Sequence, residues 1–144
     1  MNRIKIKLPD IFHFSTLLTI RITDLNYGGH VGNDSFLSLI QEARQQFLRS
    51  HGFEELSFAG AALIMADVAV EFKKELNYGD KLKISVAADD FDKLGFDLFY
   101  RLELVEEIGL VLAGRAKTGM LCFDYTTKTK VPIPEEVVAE LKRG

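Results

Sequence analysis

Side chains that could hold a carbonyl group or a water molecule lie close together in residues 26–34, NYGGHVGND. Asn26 carries an amide, His30 an imidazole and Asp34 a carboxylate, and each can form hydrogen bonds with a polar substrate. An amide cannot take a proton, so Asn26 can act only by positioning. His30 could orient or activate water, or it could be a structural residue of the turn. Asp34 could be a general base or a charge that stabilises a helix start.

A long helix is predicted to begin at the end of this stretch. Apolar side chains recur at helical spacing: Phe36, Ile40, Ala43 and Phe47. Asn33 is the expected N-cap and Gly52 the expected stop. The backbone N–H groups of Gly32 and Asn33 would then lie at a helix N-terminus, where such groups can stabilise a developing oxyanion.

Alternating apolar and polar residues predict strands in most of the remaining chain. We expect them over residues 13–23, 61–74, 81–88, 94–106, 112–125 and, in a shorter piece, 128–131. Strands joined by short turns are expected to be antiparallel neighbours. Residues 1–13 form either a short edge strand or an arm, and a terminal helix is predicted over residues 135–141. Small side chains between Gly114 and Cys122 would let the long helix approach the sheet closely, which suggests a central strand.

Composition limits the class of protein. The chain has 144 residues, 47% of them hydrophobic and 27% charged, which is typical of one globular domain over residues 1–144. The net charge of −3 gives no reason to expect a nucleic-acid partner. No apolar run is long enough for a membrane span, and no signal peptide is visible, so we expect a cytoplasmic protein. Cys122, the single cysteine, should be a buried, inert thiol, and the widely spaced histidines predict no metal site.

A second apolar face is expected on the sheet, opposite the helix. The side chains that alternate onto it are Phe99, Val105, Leu121 and Phe123. The sequence contains no further long helix to cover them, and an exposed apolar patch of that size is unusual on a monomer. We therefore expect a homo-oligomer.

Residues 24–44, DLNYGGHVGNDSFLSLIQEAR, resemble the hotdog-fold thioesterases of the 4-hydroxybenzoyl-CoA thioesterase type. The pattern there is D-x-D-x-x-G-H-V-N-N, followed by a helix with an E-A-R-like segment. The matching residues here are Asp24, Gly29, His30, Val31, Asn33, Glu42, Ala43 and Arg44. The resemblance implies an α+β hotdog fold, in which a curved antiparallel sheet of five to six strands wraps around one long central helix. It also implies dimers or tetramers with sites at the dimer seam.

The resemblance further implies hydrolysis of acyl-CoA or acyl-carrier-protein thioesters, with no cofactor other than the coenzyme A of the substrate. The catalytic residues expected from it are Asn26, His30, Asn33 and Asp34. The expected substrate contacts are Gly29, Gly32, Lys93 and Arg115. Other cations that could meet the phosphates of coenzyme A, or could simply lie on a solvated face, are Lys73, Lys74 and Lys117.

The chain departs from the family pattern at the position of its usual carboxylate, where Asn26 stands, and Gly32 replaces an asparagine. Asp24 could be a displaced carboxylate or a brace for the turn. Glu42 is either an inward carboxylate or, as we expect, half of a surface pair with Gln46. Two other functions remain open. D-L-N-Y-G-G-H is similar to the D-x-N-P-x-H motif of hotdog enoyl-CoA hydratases, although it is one residue longer and lacks the proline. A non-catalytic acyl-CoA-binding protein would also lack the carboxylate.

Overall fold

The computed structural model describes residues 2–143, and they form an α+β fold as predicted. The elements are β1 (Phe14–Thr19), a 3₁₀ turn (Ile22–Asp24), α1 (Asn33–Ser50), β2 (Ala62–Phe72), β3 (Lys81–Asp89), β4 (Gly95–Glu106), β5 (Gly109–Asp124), β6 (Thr129–Lys130) and α2 (Glu135–Lys142). Helix α1 has 18 residues and ends two residues before Gly52, whose φ of +83° permits the stop.

The strands form one antiparallel sheet in the order β1-β3-β4-β5-β2, with β6 beside β5. The prediction that consecutive strands are neighbours is confirmed for β3, β4 and β5. It is wrong for β2 and β3, because β2 pairs with β5 at the opposite edge. Residues 73–80 are therefore a crossover from the edge strand β2 to β3, the second strand from the opposite edge, rather than a hairpin turn. They pass the beginning of α1, where the Val31 N–H donates to the Leu76 carbonyl at 2.9 Å.

Helix α1 packs its apolar stripe on one face of the sheet. Its buried residues include Phe36, Ile40, Ala43 and Phe47. A Cβ built on Gly114 of β5 would lie 2.9 Å from Cζ of Phe36, so the missing side chain is what lets the helix approach here. The prediction of a small-residue contact is confirmed, although the middle strand of the sheet is β4 rather than β5.

The first predicted strand is shorter than expected because the chain turns after Thr19. The backbone of Ile20 exchanges hydrogen bonds with residues 79 and 80, at 2.9 and 2.8 Å. Asp24 is buried, and its carboxylate accepts the Arg21 N–H at 2.8 Å and an Arg21 guanidinium N–H at 3.3 Å. Asp24 therefore braces the turn. The expected surface pair is also present, since Gln46 Nε2 donates to Glu42 at 2.8 Å.

The N-terminal residues form an arm, not an edge strand. The Ile6 N–H donates to Glu71 Oε2 at 2.7 Å, and residues 4–10 share a surface cleft with Phe99 and Lys117. The Ile6 hydrogen bond, and after it the neighbouring Lys73, lowers the pKa of Glu71. Phe99 is buried within one chain. Part of the face that the sequence assigned to a second subunit is therefore covered by the chain itself.

Candidate active site

The turn before α1 is built by backbone hydrogen bonds. The Asn26 N–H donates to the His30 carbonyl at 2.9 Å, and the Gly29 N–H donates to the Asn26 carbonyl at 3.1 Å. Gly29 has φ +79°, a backbone conformation that glycine adopts without steric cost. The side-chain oxygen of Asn26 accepts the Gly28 N–H at 2.8 Å. This bond occupies the oxygen, so the Asn26 NH₂ group remains as the donor.

Asn26 lies beside the start of α1. A Cβ built on Gly32 would be 3.5 Å from the Asn26 Cβ and 3.8 Å from its Nδ2, and only 2.8 Å from Oδ1 of Asp34. The structure therefore brings together the amide of Asn26, the carboxylate of Asp34 and the first turn of the helix. A side chain at position 32 would force the Asp34 carboxylate to move and would lie in van der Waals contact with Asn26.

The N-cap of α1 is Gly32, and the prediction of Asn33 as N-cap is wrong. Asn33 is already the first helical residue, and Gly32 has no side chain to bond the first turn. The first backbone amide bonded in the α-helical pattern is that of Phe36, which donates to the Gly32 carbonyl at 2.9 Å. The amides of residues 33–35 have no partner inside the helix. They can therefore donate to a negatively charged oxygen placed at the helix end.

The backbone N–H of Gly32, also predicted as an oxyanion donor, differs from that of Asn33 because it already has a partner. It donates to the Asp24 carbonyl, at a long 3.4 Å. The residue is also buried, so its amide serves the turn more than a ligand. Of the two amides that the sequence proposed, the one on Asn33 is the better placed to meet an oxyanion.

His30 opens onto a cavity of about 280 Å³ next to this helix end. The lining residues are His30, Val31, Asn33, Phe36, Phe72, Lys73, Lys74, Glu75 and Leu76. The His30 side chain is 35% exposed, and its Nε2 lies 3.9 Å from Oε1 of Glu75. Phe36 and Phe72 meet edge to face with ring centroids 5.0 Å apart, and they form an aromatic wall.

Sequence reasoning missed Glu75 and Phe72 as site residues. Nothing in the local pattern marks either one, since Phe72 reads as a strand residue and Glu75 as part of a polar turn. Both enter the site because β2 pairs with β5 and the crossover then passes α1. Only knowledge of this pairing could have found them.

Two predicted substrate contacts, Lys93 and Arg115, lie away from the cavity at His30. Lys93 is in the turn between β3 and β4, where its carbonyl accepts the Ile133 N–H at 3.0 Å. Arg115 projects from β5 toward Glu71, with 3.6 Å between its Nη1 and Oε1 of Glu71. Neither residue lines the cavity at His30. Lys73 and Lys74 are the cations that the structure does place there.

The described part of the chain gives no support for a cysteine nucleophile, a metal site or a membrane-spanning helix. Cys122 is buried, and burial raises the pKa of its thiol to about 11, so a thiolate nucleophile is not available at neutral pH. Residues 2–143 contain no group of histidine, cysteine and acidic side chains that could hold a metal ion. None of the helices in these residues is long and apolar enough to cross a membrane.

Comparison with known proteins agrees with this geometry. The sequence model of the thioesterase-like superfamily matches residues 20–141, and the chain belongs to that family. It is 26% identical over 127 residues to a 1,4-dihydroxy-2-naphthoyl-CoA hydrolase of Rippkaea orientalis, which covers 86% of this chain and 91% of the relative. A protein of the same name from Nostoc punctiforme is 25% identical, with 86% of this chain and 83% of that relative covered.

Solved structures show the same fold. A 1,4-dihydroxy-2-naphthoyl-CoA thioesterase from Synechocystis superposes with a TM-score of 0.78 at 21% identity, covering 89% of this chain and 94% of that one. A mutant 4-hydroxybenzoyl CoA thioesterase, complexed with 4-hydroxybenzoyl CoA, has a TM-score of 0.81 at 14% identity and covers 89% and 97% of the two chains. The predicted hotdog fold and the thioester hydrolase class are confirmed, and the hydratase and non-catalytic alternatives are not favoured.

Proposed function

We propose that this protein hydrolyses acyl-CoA thioesters with an aromatic acyl group at the N-terminus of α1. The main support for this proposal is the cavity at His30, which is lined by the first turn of the helix, by His30 and by the pair of Phe36 and Phe72. The reaction uses no metal or cofactor, and coenzyme A takes part only as the substrate's thiol. The cytoplasm, where thiols such as Cys122 stay reduced, is the proposed location.

The open helix end supplies stabilisation of the transition state. Attack of water on the thioester carbonyl places a negative charge on the carbonyl oxygen. The amides of Asn33 and Asp34, together with the NH₂ of Asn26, are donors on the side where this oxygen would lie. One such donor contributes about 2.7–4 kcal/mol when it is aimed at the developing oxyanion.

Two observations support an aromatic acyl group. Phe36 and Phe72 form the apolar part of the cavity, and their edge-to-face arrangement suits a further ring. The relatives carry names with a naphthoyl-CoA substrate. The cavity of about 280 Å³ is near the lower end of ligand pockets, so it accommodates the acyl group rather than the whole substrate.

A homodimer is the proposed assembly. Strand β2 is 11 residues long and lies at the edge of the sheet, where its outer hydrogen-bonding groups face away from β5. Its exposed side chains include Met65, Val68 and Phe72. A long edge strand of this kind is a template for pairing with another chain. Pairing of two β2 strands would bring the seam to Phe72, and so to the cavity.

Two measurements test these proposals. Release of thiol would be followed for benzoyl-CoA, 1,4-dihydroxy-2-naphthoyl-CoA, octanoyl-CoA and palmitoyl-CoA. We expect the largest kcat/KM with an aromatic substrate. A higher value with an aliphatic one would contradict the acyl assignment, and absence of turnover on all four would contradict hydrolysis. Sedimentation should give a dimer or a multiple of it at micromolar concentration, and a monomer there would exclude the proposed assembly.

A further inference from the structure

We infer that Glu75 is the general base that replaces the missing carboxylate at position 26. The inference rests on the proposed function, because it concerns the same reaction at the same cavity. Hydrolysis of a thioester needs a group that takes a proton from the attacking water. The family pattern supplies a carboxylate in the turn before α1, but Asn26 stands there and its side-chain oxygen is already bonded to the Gly28 N–H at 2.8 Å.

Two of the other nearby carboxylates are bonded to neighbouring side chains, and the third does not line the cavity at His30. Asp24 is buried and bonded to Arg21. Asp34 lies at the helix cap, with its Oδ1 2.8 Å from the place of a Cβ on Gly32, and it does not line the cavity at His30. Glu42 bonds to Gln46 on the exposed surface of α1. Among the described residues that line the cavity at His30, Glu75 carries the only carboxylate.

The crossover after β2 holds Glu75 in place. The Val31 N–H donates to the carbonyl of Leu76, the next residue, at 2.9 Å. This bond ties the backbone at Glu75 to the residue that follows His30. The Glu75 carboxylate is 3.9 Å from Nε2 of His30, and its side chain is 74% exposed. Two polar atoms at that separation are too far apart for a direct hydrogen bond, but one water molecule can bond to both.

The geometry assigns a role to each group in the step. His30 donates from Nε2 to the oxygen of the water, and Glu75 accepts one of its protons while the water oxygen forms a bond to the thioester carbonyl carbon. The carbonyl electron pair moves to the oxygen, which the first-turn amides receive. When the oxyanion collapses, the carbon–sulfur bond breaks and the thiolate of coenzyme A leaves with the bonding electrons. The proton on Glu75 passes to the thiolate, and the carboxylic acid loses its own proton to solvent.

The first test replaces Glu75 with glutamine and measures kcat, KM and their pH dependence on the substrate that the wild type turns over best. We expect kcat to fall by about 10²-fold or more, as for loss of a positioned general base. KM should change little, and the acid limb of the wild-type pH profile should disappear. Glu107→Gln is the matched control, because Glu107 is an exposed residue of the turn between β4 and β5. It should retain wild-type kinetics.

The second test introduces a carboxylate at position 26 in two backgrounds. In the wild type, Asn26→Asp should lower kcat, because it removes a donor and adds a negative charge next to the oxyanion. In the Glu75→Gln background the same change should raise kcat, because it returns a base to the site. Opposite signs support the assignment, and the same factor in both backgrounds overturns it.

The outcomes separate the two claims. If the wild type is active and Glu75→Gln stays within threefold of it, the role of Glu75 is overturned and the hydrolase function stands. If the wild type turns over no acyl-CoA, the proposed function fails and the role of Glu75 fails with it. Equal thermal unfolding of wild type, Glu75→Gln and Glu107→Gln would show that any loss of kcat is not a loss of fold.

Discussion

The two ends of helix α1 carry histidines in similar sequence surroundings but in opposite structural states. His30 follows Gly29 before the helix, and its 35% exposed ring faces a cavity. His51 precedes Gly52 after the helix, and its side chain is only 4% exposed. Its Nδ1–H donates to Oε2 of Glu140 at 2.7 Å, and its ring meets that of Phe47 edge to face. One end of the helix is open, whereas the other is closed by α2.

The difference shows what an open helix end is for. At the closed end a side chain from a distant helix pairs with the histidine, so polar groups there contribute to stability. At the open end the cap residue Gly32 has no side chain, and the first-turn amides remain available. Groups that bond to no part of the protein can bond to a substrate. We therefore expect substitutions at the open end to change activity and those at the closed end to change stability.

The largest expected effect is at Asn26. Asn26→Ala should lower kcat by about 10²–10³-fold, which corresponds to the loss of one oxyanion donor. Asn26→Asp should also lower it, because the donor is lost and a charge is placed next to the oxyanion. Steady-state kinetics on the best acyl-CoA substrate would measure both. If instead the wild type were nearly inactive and Asn26→Asp gained activity, Asn26 would be the remnant of a lost base.

The paired histidines test the comparison directly. His30→Ala should lower kcat by about 10²-fold or more and leave thermal unfolding cooperative and unshifted. His51→Ala should do the reverse, with kinetics retained and the free energy of unfolding lowered by about 2 kcal/mol through lost packing and a lost hydrogen bond. Steady-state kinetics would measure the loss of kcat, and calorimetry would measure the loss of stability, in both variants. Activity within a few-fold of wild type in His30→Ala would make His30 a turn residue only.

Substitution of the two glycines before His30 should reduce activity for different reasons, which are backbone strain at Gly29 and close contact with His30 at Gly28. Gly29→Val places a β-branched residue at φ +79°, and we expect loss of stability of about 1–3 kcal/mol together with loss of activity. Gly28→Ala places a Cβ 3.1 Å from Nε2 of His30, and we expect reduced kcat with a smaller change in stability. Urea unfolding and kinetics distinguish the two. A fully active Gly29→Val variant would show that the turn does not need this backbone conformation.

The smallest effect concerns the pH dependence of stability at the closed end. The hydrogen bond from His51, and with it Arg143, lowers the pKa of Glu140 from 4.5. A carboxylate with a lowered pKa in the folded state stabilises the protein above its unfolded pKa and loses that effect as the pH falls through the folded value. Melting temperatures from pH 7 to pH 3 should therefore fall less in Glu140→Gln than in the wild type. Parallel curves for the two proteins would exclude a contribution from this pair.

Local patterns predicted individual elements well and the site only in part. The apolar spacing from Phe36 to Phe47 and the glycine at 52 placed α1 correctly, since both signals lie within the helix itself. The cap was misplaced by one residue, because capping depends on where the preceding turn ends. That turn is set by bonds from Asn26 to His30 and from Val31 to Leu76. The prediction of Lys93 and Arg115 as substrate contacts rests on charge alone, and charge does not tell which face or edge a residue occupies.

Sequence alone determined the periodicities, the turn glycines and the motif of residues 24–44, because each depends on neighbours within a few positions along the chain. Tertiary structure decided which strands meet. The pairing of β2 with β5 sends the crossover past α1, and this brings Glu75 and Phe72 to His30. No short-range preference encodes that choice, since strand partners are selected by the burial of whole faces. The residue proposed as the base therefore becomes visible only once the sheet is assembled.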